Sequence, residues 1–102
     1  MLAYRTRCLI KKGRVQEAME LLQGPLEAFR EQGIEARIYS DPQKGRRRVV
    51  VWEETWEDAA THDAFWAEDG EAHTLEGAQE FWPKWDDVVD GKSKLRVWTL
   101  HK

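Results

Sequence analysis

The apolar residues of this chain repeat with two different periods, and the order of these periods constrains the fold more than any other feature. Four segments alternate in polarity or run apolar as β-strands do: 2–10, 34–40, 46–54 and 94–101. Three segments place apolar side chains three or four residues apart, as one face of a helix does: 14–32, 56–67 and 75–91. The segments therefore follow the order β-α-β-β-α(α)-β, with two helical segments between the third and fourth strands.

This order predicts an α+β fold of the ferredoxin-like βαββαβ type, in which a four-stranded antiparallel sheet carries its helices on one face. The 102 residues suffice for one hydrophobic core, so we expect a single domain over 1–102. Strands one and three are the central neighbours in this arrangement. The sheet face without helices must then meet water, a ligand or a second copy of the chain.

Two prolines predict interruptions of the helices, and capping patterns predict where helices begin and end. Pro25, after Gly24, predicts a kink or a break in the first helix, and Pro83 predicts that the third is split. Thr55 followed by Asp58 resembles a capping box, which places the start of the second helix near Trp56. Gly33 suits the C-terminal cap of the first helix.

Charge and cysteine content exclude several classes of partner. Sixteen basic and nineteen acidic side chains give a net charge of −3, which offers no general attraction for nucleic acid. No apolar run approaches the length of a membrane span, so we expect no membrane partner. The single cysteine, Cys8, allows no disulfide within the chain and favours a cytoplasmic protein. The histidines have no metal-ligand spacing, and no metal is predicted.

Alternation along the predicted strands assigns side chains to the two faces of the sheet. The face without helices is predicted to carry arginines and aromatic rings: Arg5, Arg7, Arg37, Tyr39, Val50, Trp52, Glu54, Arg96 and Trp98. Tyr4, Thr6 and Cys8 are predicted on the helix-covered face, where Cys8 is an inert buried thiol.

A shielded arginine needs an anion, and two sources are open. Glu54 and Glu35 could pair with the arginines in a homodimer interface. Alternatively, a flat anionic aromatic ligand could lie between two sheets, with its ring stacked on Trp52 or Trp98. Arg46, Arg47 and Arg48 form a further basic cluster at the predicted hairpin, where a solvated loop is the simpler interpretation.

Residues 51–62, VWEETWEDAATH, run from the third strand into the second helix through a Trp-acid-x-Ala-x-x-His pattern that ends at His62. In this pattern and in its element order the chain resembles the antibiotic biosynthesis monooxygenase family of dimeric α/β-barrel proteins. The resemblance implies a subunit that pairs sheet to sheet and encloses a pocket. Some members oxidise aromatic polyketides without a cofactor, and others degrade haem.

The resemblance also implies candidate residues for chemistry. His62, Trp56 and Trp66 are the candidate catalytic residues, and the asparagine that catalytic members carry on the first strand is replaced here by Tyr4, Thr6 or Cys8, since the chain contains no asparagine. The leading hypothesis is a small-molecule-binding protein that acts on an anionic aromatic compound without a cofactor. The alternatives are a haem-binding or haem-degrading protein, with His62 or His73 as the axial ligand, and a non-catalytic dimeric module.

Overall fold

The computed structural model describes residues 1–40 and 48–101 of the chain, and the elements follow the predicted order. The strands are β1 (Leu2–Leu9), β2 (Glu35–Ser40), β3 (Val49–Trp56) and β4 (Lys94–Thr99). The helices are α1 (Val15–Glu31), α2 (Ala59–Trp66) and α3 (Ala78–Val88), with a short 3₁₀ helix at Glu71–Thr74 between α2 and α3. The predicted hairpin turn at 41–45 and the arginines Arg46 and Arg47 lie outside the described residues.

The strands form one antiparallel sheet in the order β2-β3-β1-β4, which confirms the ferredoxin-like fold and the central position of β1 and β3. Tyr4 lies opposite Glu54 on β3 and opposite Val97 on β4. Helices α1 and α3 pack over one face of this sheet. The part of the chain that the structure describes contains no helix long and apolar enough to cross a membrane.

Helix α1 continues through Pro25 as a single helix, so the break, one of the two outcomes predicted there, is wrong. Gly24 has no Cβ to clash with the ring of Pro25, which removes one of the two costs of the proline. The packing of the whole helix compensates the lost hydrogen bond, as it also does in α3, where Pro83 follows Trp82. The helix ends as predicted, with Gly33 at a φ of 77° and its amide donating to the carbonyl of Arg30.

The other two helices also depart from the predicted boundaries. α3 runs without interruption through Pro83, so the predicted split is wrong. Trp56 closes β3 instead of opening α2, because the cap of α2 is Asp58, whose carboxylate accepts from the amide of Thr61 at 2.7 Å. The strand therefore extends by two residues before the helix begins.

The orientation of β3 is opposite to the prediction. Glu54 pairs with Tyr4, and Trp52 pairs with Thr6, so these side chains share the helix-covered face. Val50 follows the same alternation and also lies on the helix-covered face. Glu53 lies opposite Arg5 on the face without helices, the open face of the sheet. A shift of one residue in the assumed alternation moves every side chain of a strand to the other face.

Two groups of buried side chains fill the space between the sheet and the helices. One contains Tyr4, Leu26, Phe29, Ala36, Trp56, Phe65 and Ala72, and the other contains Cys8, Ile10, Ala18, Leu22, Val50, Trp85 and Val88. Trp85 is 8% exposed and packs within the second group, whereas Trp82, on the same helix, is 42% exposed.

Candidate functional site

A cavity of about 540 Å³ lies between the helix-covered face of the sheet and helices α1 and α3. Aromatic rings supply much of its wall: Tyr4, Phe29, Trp52, Trp66, Phe81, Trp82 and Trp85. Polar side chains at the wall include Thr6, Glu54 and His62, and half-exposed Leu95 lines the edge beside β4. A mostly apolar cavity with a few convergent polar groups is the usual form of a small-molecule site.

Glu54 is the buried carboxylate of this cavity and is 4% exposed. Its Oε1 accepts hydrogen bonds from Nε1 of Trp56 at 2.9 Å and of Trp66 at 2.8 Å, and its Oε2 accepts from Nε1 of Trp52 at 2.7 Å. Indole N–H groups only donate, so all three need an acceptor when they are removed from water. One carboxylate thus satisfies three indoles that come from β3 and α2.

His62 projects from α2 against the ring of Tyr4 on β1. The two rings are stacked, with centroids 3.6 Å apart and planes within 6° of each other, and the ring of Trp56 meets His62 edge-on at 5.8 Å. Nδ1 of His62 lies 2.9 Å from Oδ1 of Asp63. When Nδ1 donates to this carboxylate, Nε2 carries the lone pair that can accept a proton.

The protonation of two other cavity residues follows from their burial. Burial raises the pKa of the Tyr4 phenol above its usual value, and the nearby carboxylates of Asp63 and Asp58 raise it further. Burial alone raises the pKa of the Cys8 thiol to about 11. Tyr4 therefore remains a hydroxyl donor near neutral pH, and Cys8 remains a weakly reactive thiol.

The open face of the sheet carries the predicted arginines, with a different acidic partner. Nε of Arg5 pairs with Oε2 of Glu53 at 2.6 Å, and the hydroxyl of Tyr39 donates to Oε1 of Glu53 at 3.2 Å. Arg37 pairs with Glu35 at 2.7 Å. The expectation that Arg5 and Arg7 lie beside Trp52 and Glu54 is wrong, because both of those side chains lie on the other face.

The structure therefore divides the predicted site residues between two surfaces. Glu54, Trp52, Trp66 and His62 line the cavity, and Trp56 joins them through its hydrogen bond to Glu54. The others, Arg5, Arg7, Arg37, Tyr39, Arg96 and Trp98, lie on the open face. His73 is exposed on the 3₁₀ helix, with its ring 6.5 Å from that of Trp66, and it does not line the cavity.

Sequence reasoning missed the Glu54 cluster and the role of Asp63. The spacing of Trp52, Glu54 and Trp56 was a usable signal, because residues two apart on a strand share a face. Asp63 carried no such signal, since adjacent residues on a helix do not usually face each other. Among residues 1–40 and 48–101, no group of three or more histidine, cysteine or acidic side chains is arranged to hold a metal ion.

Comparisons with known proteins place the chain among structures of the same fold. No family model and no curated protein matches the sequence. An uncharacterised NIPSNAP domain protein from Burkholderia xenovorans matches with a TM-score of 0.78 at 17% identity, over 99% of this chain and 95% of that one. An antibiotic biosynthesis monooxygenase matches with a TM-score of 0.73 at 15% identity, over the whole of both chains.

A third similar structure is SnoaB from Streptomyces nogalater, a cofactor-independent oxygenase. It matches with a TM-score of 0.68 at 14% identity, over 99% of this chain and 93% of that one. At such identities the similarity establishes a shared fold, the fold of antibiotic biosynthesis monooxygenase-like and NIPSNAP proteins, and the activity must be argued from the site.

Proposed function

We propose that this protein binds a flat aromatic molecule in the cavity beneath its helices and oxygenates it without a cofactor, with His62 as the proton acceptor. The observation that carries this proposal is the stacking of His62 on Tyr4 at the cavity wall, with Nδ1 of His62 held by Asp63. The aromatic wall provides the complementary surface for a flat ring.

A histidine that is oriented in this way is suited to general-base catalysis. The contact between Asp63 and Nδ1 favours the tautomer with the lone pair on Nε2, which is the arrangement that an oriented catalytic histidine requires. Only 12% of the His62 side chain is exposed, so its ring is fixed by Tyr4 instead of rotating in water. Tyr4, kept neutral by its raised pKa, has a hydroxyl that can hydrogen-bond an oxygen of the bound molecule.

Removal of a proton from a hydroxyaromatic molecule by His62 gives an electron-rich anion, whose charge the imidazolium offsets. The ring carbon of this anion forms a C–O bond to dioxygen, and His62 returns the proton to the resulting peroxide. Cleavage of the O–O bond with loss of the carbon-bound hydrogen then releases water and leaves a quinone, so the substrate supplies all the electrons. The cofactor-independent oxygenase of Streptomyces nogalater has the same fold, which supports this reaction class. The position of Glu54 and Trp52 beneath the helices favours this cavity over the space between two sheets as the substrate site.

We also propose that two copies of the chain associate through the open sheet face. Trp98 and Tyr39 on this face are 51% and 42% exposed, although both are large aromatic side chains. Exposed aromatic rings mixed with arginine are typical of protein interfaces. Pairing of two such faces would cover these rings.

Oxygen uptake with hydroxyaromatic substrates tests the proposed reaction. We expect uptake by the wild type in metal-free buffer and a loss of at least about a hundredfold in His62→Ala, because general-base catalysis typically contributes that much. His73→Ala is the matched control and should retain full activity, since His73 does not line the cavity.

Two results would overturn the proposal. Full activity in His62→Ala would exclude His62 as the base. A Soret band on addition of haem that is lost in His62→Ala or His73→Ala, without any oxygen uptake by the haem-free protein, would favour a haem-binding function instead.

A further inference from the structure

The hydrogen bonds of Glu54 leave one acceptor position unused within the described residues. A carboxylate offers about four lone-pair positions. Oε1 accepts from two indoles, those of Trp56 and Trp66, whereas Oε2 accepts from Trp52 alone. Glu54 lines the cavity, so the remaining position on Oε2 is the acceptor that it can offer to an occupant.

An acceptor of this kind discriminates between ligands through the donors that they carry. A carboxylate oxygen in apolar surroundings gains from an N–H or O–H donor, and it loses hydration without compensation when an apolar or acceptor group covers it. Charge-assisted hydrogen bonds are also stronger than neutral ones. The occupant that fits Glu54 therefore brings a hydrogen-bond donor.

The charges around the cavity disfavour an anionic occupant. Besides Glu54, the exposed side chains of Glu76, Glu80 and Lys84 line the cavity, so carboxylates outnumber ammonium groups. The arginines that could neutralise an acid, Arg5 among them, lie on the opposite face of the sheet. An aromatic carboxylate would be repelled by Glu54 without a compensating guanidinium.

We infer that Glu54 is the residue that determines specificity, and that it selects uncharged aromatic molecules bearing a hydroxyl or N–H donor while it rejects aromatic acids. This inference rests on the proposed binding of an aromatic molecule in the cavity and adds the substrate class. It replaces the anionic aromatic compound expected from the sequence, because that expectation depended on arginines lying beside Trp52.

Calorimetric titration with three naphthalenes of similar shape tests the inference near pH 7. The probes are 2-naphthol, which is uncharged and carries a donor, 2-methoxynaphthalene, which carries none, and 2-naphthoate, which is an anion. We expect 2-naphthol to bind at least about tenfold more tightly than either of the other two, since a hydrogen bond to a charged group contributes at least that factor.

The outcomes of this titration separate failure of the inference from failure of the proposed function. Equal affinities for the three probes, or tightest binding of 2-naphthoate, would overturn the assignment of Glu54 but leave the aromatic cavity intact. Absence of binding by all three would overturn the proposed function and the inference together. These comparisons use the wild type, so they do not depend on the folding of a variant.

Glu54→Gln then identifies the residue responsible for the preference. We expect the advantage of 2-naphthol over 2-methoxynaphthalene to fall to about threefold or less, while 2-naphthoate binds more tightly than to the wild type. The matched control, Glu57→Gln, alters an exposed glutamate that does not line the cavity, and it should retain the wild-type order. An unchanged order in a folded Glu54→Gln protein would contradict the inference.

Discussion

Nε1 of Trp66 donates a hydrogen bond to Oε1 of Glu54 at 2.8 Å, and this bond joins helix α2 to the centre of the sheet. Trp56 donates to the same oxygen from the end of β3. The carboxylate therefore fixes the position of the helix that carries His62. Stability and the proposed ligand selectivity therefore depend on the same buried group.

Substitution of Glu54 by glutamine should destabilise the protein by about 2 kcal/mol, because the amide nitrogen would face an indole N–H donor and leave it without an acceptor. Chemical denaturation monitored by circular dichroism measures this loss. Glu57→Gln, on the surface, should change the free energy of unfolding by less than about 0.5 kcal/mol. Equal stability of the two variants would show that the indoles find other partners.

Replacement of Pro25 by alanine should stabilise the protein by about 2 kcal/mol, because it restores an amide donor within α1 and removes a ring clash. Gly24→Ala should destabilise the wild type, since its new Cβ meets the ring of Pro25, but it should stabilise the Pro25→Ala variant. The four proteins form a double-mutant cycle in thermal denaturation. An effect of Gly24→Ala with the same sign in both backgrounds would contradict this explanation of the continuous helix.

Cys8 should react slowly with thiol reagents at neutral pH, and its rate should rise about tenfold per pH unit up to about pH 11, where its raised pKa lies. The thiolate is the reactive form, and burial disfavours it. All labelling can be assigned to one site, because Cys8 is the single cysteine of the sequence. Rapid labelling at pH 7 of the folded protein, with a rate independent of pH, would show that the thiol is not buried.

Self-association through the open face should strengthen with salt. Arg5 lies opposite Arg96, and Arg7 lies opposite Lys94, so two copies of this face would bring like charges together. Sedimentation equilibrium should show a dimer that tightens severalfold between about 20 mM and about 500 mM NaCl, because salt screens this repulsion. Trp98→Ala should weaken the dimer at both concentrations. A monomer under all these conditions would remove the proposed interface.

The order of the elements could be predicted because each segment carries enough apolar residues to define its period. The predicted order β-α-β-β-α(α)-β agrees with the structure, as do the central position of β1 and β3 and the cap at Gly33. The continuity of the helices at Pro25 and Pro83 could not be predicted, since the packing of a whole helix can outweigh the loss of one hydrogen bond.

The sequence could not show which side chains of β3 face the helices. The composition of the candidate site depends on this assignment, because Trp52 and Glu54 line the cavity. Val49, Val50 and Val51 carry no alternation, and Glu53 and Glu54 are both buried, at 5% and 4% exposed. Alternation that starts from Val49 and Val51 facing the helices places Val50, Trp52 and Glu54 on the open face with the arginines, one residue out of register with the structure. The three indoles that compensate the burial of Glu54 lie two or twelve residues away in the sequence, and only the fold brings them to one carboxylate.

The location of the aromatic site is tested most directly by the indole N–H resonances of the six tryptophans during a titration with 2-naphthol. Trp52 and Trp66 line the cavity, whereas Trp98 lies on the open face of the sheet and serves as an internal control. We predict saturable shifts in the Nε1–H signals of Trp52 and Trp66 and an unchanged signal from Trp98. Saturable shifts at Trp98, with those of Trp52 and Trp66 unchanged, would contradict a site beneath the helices.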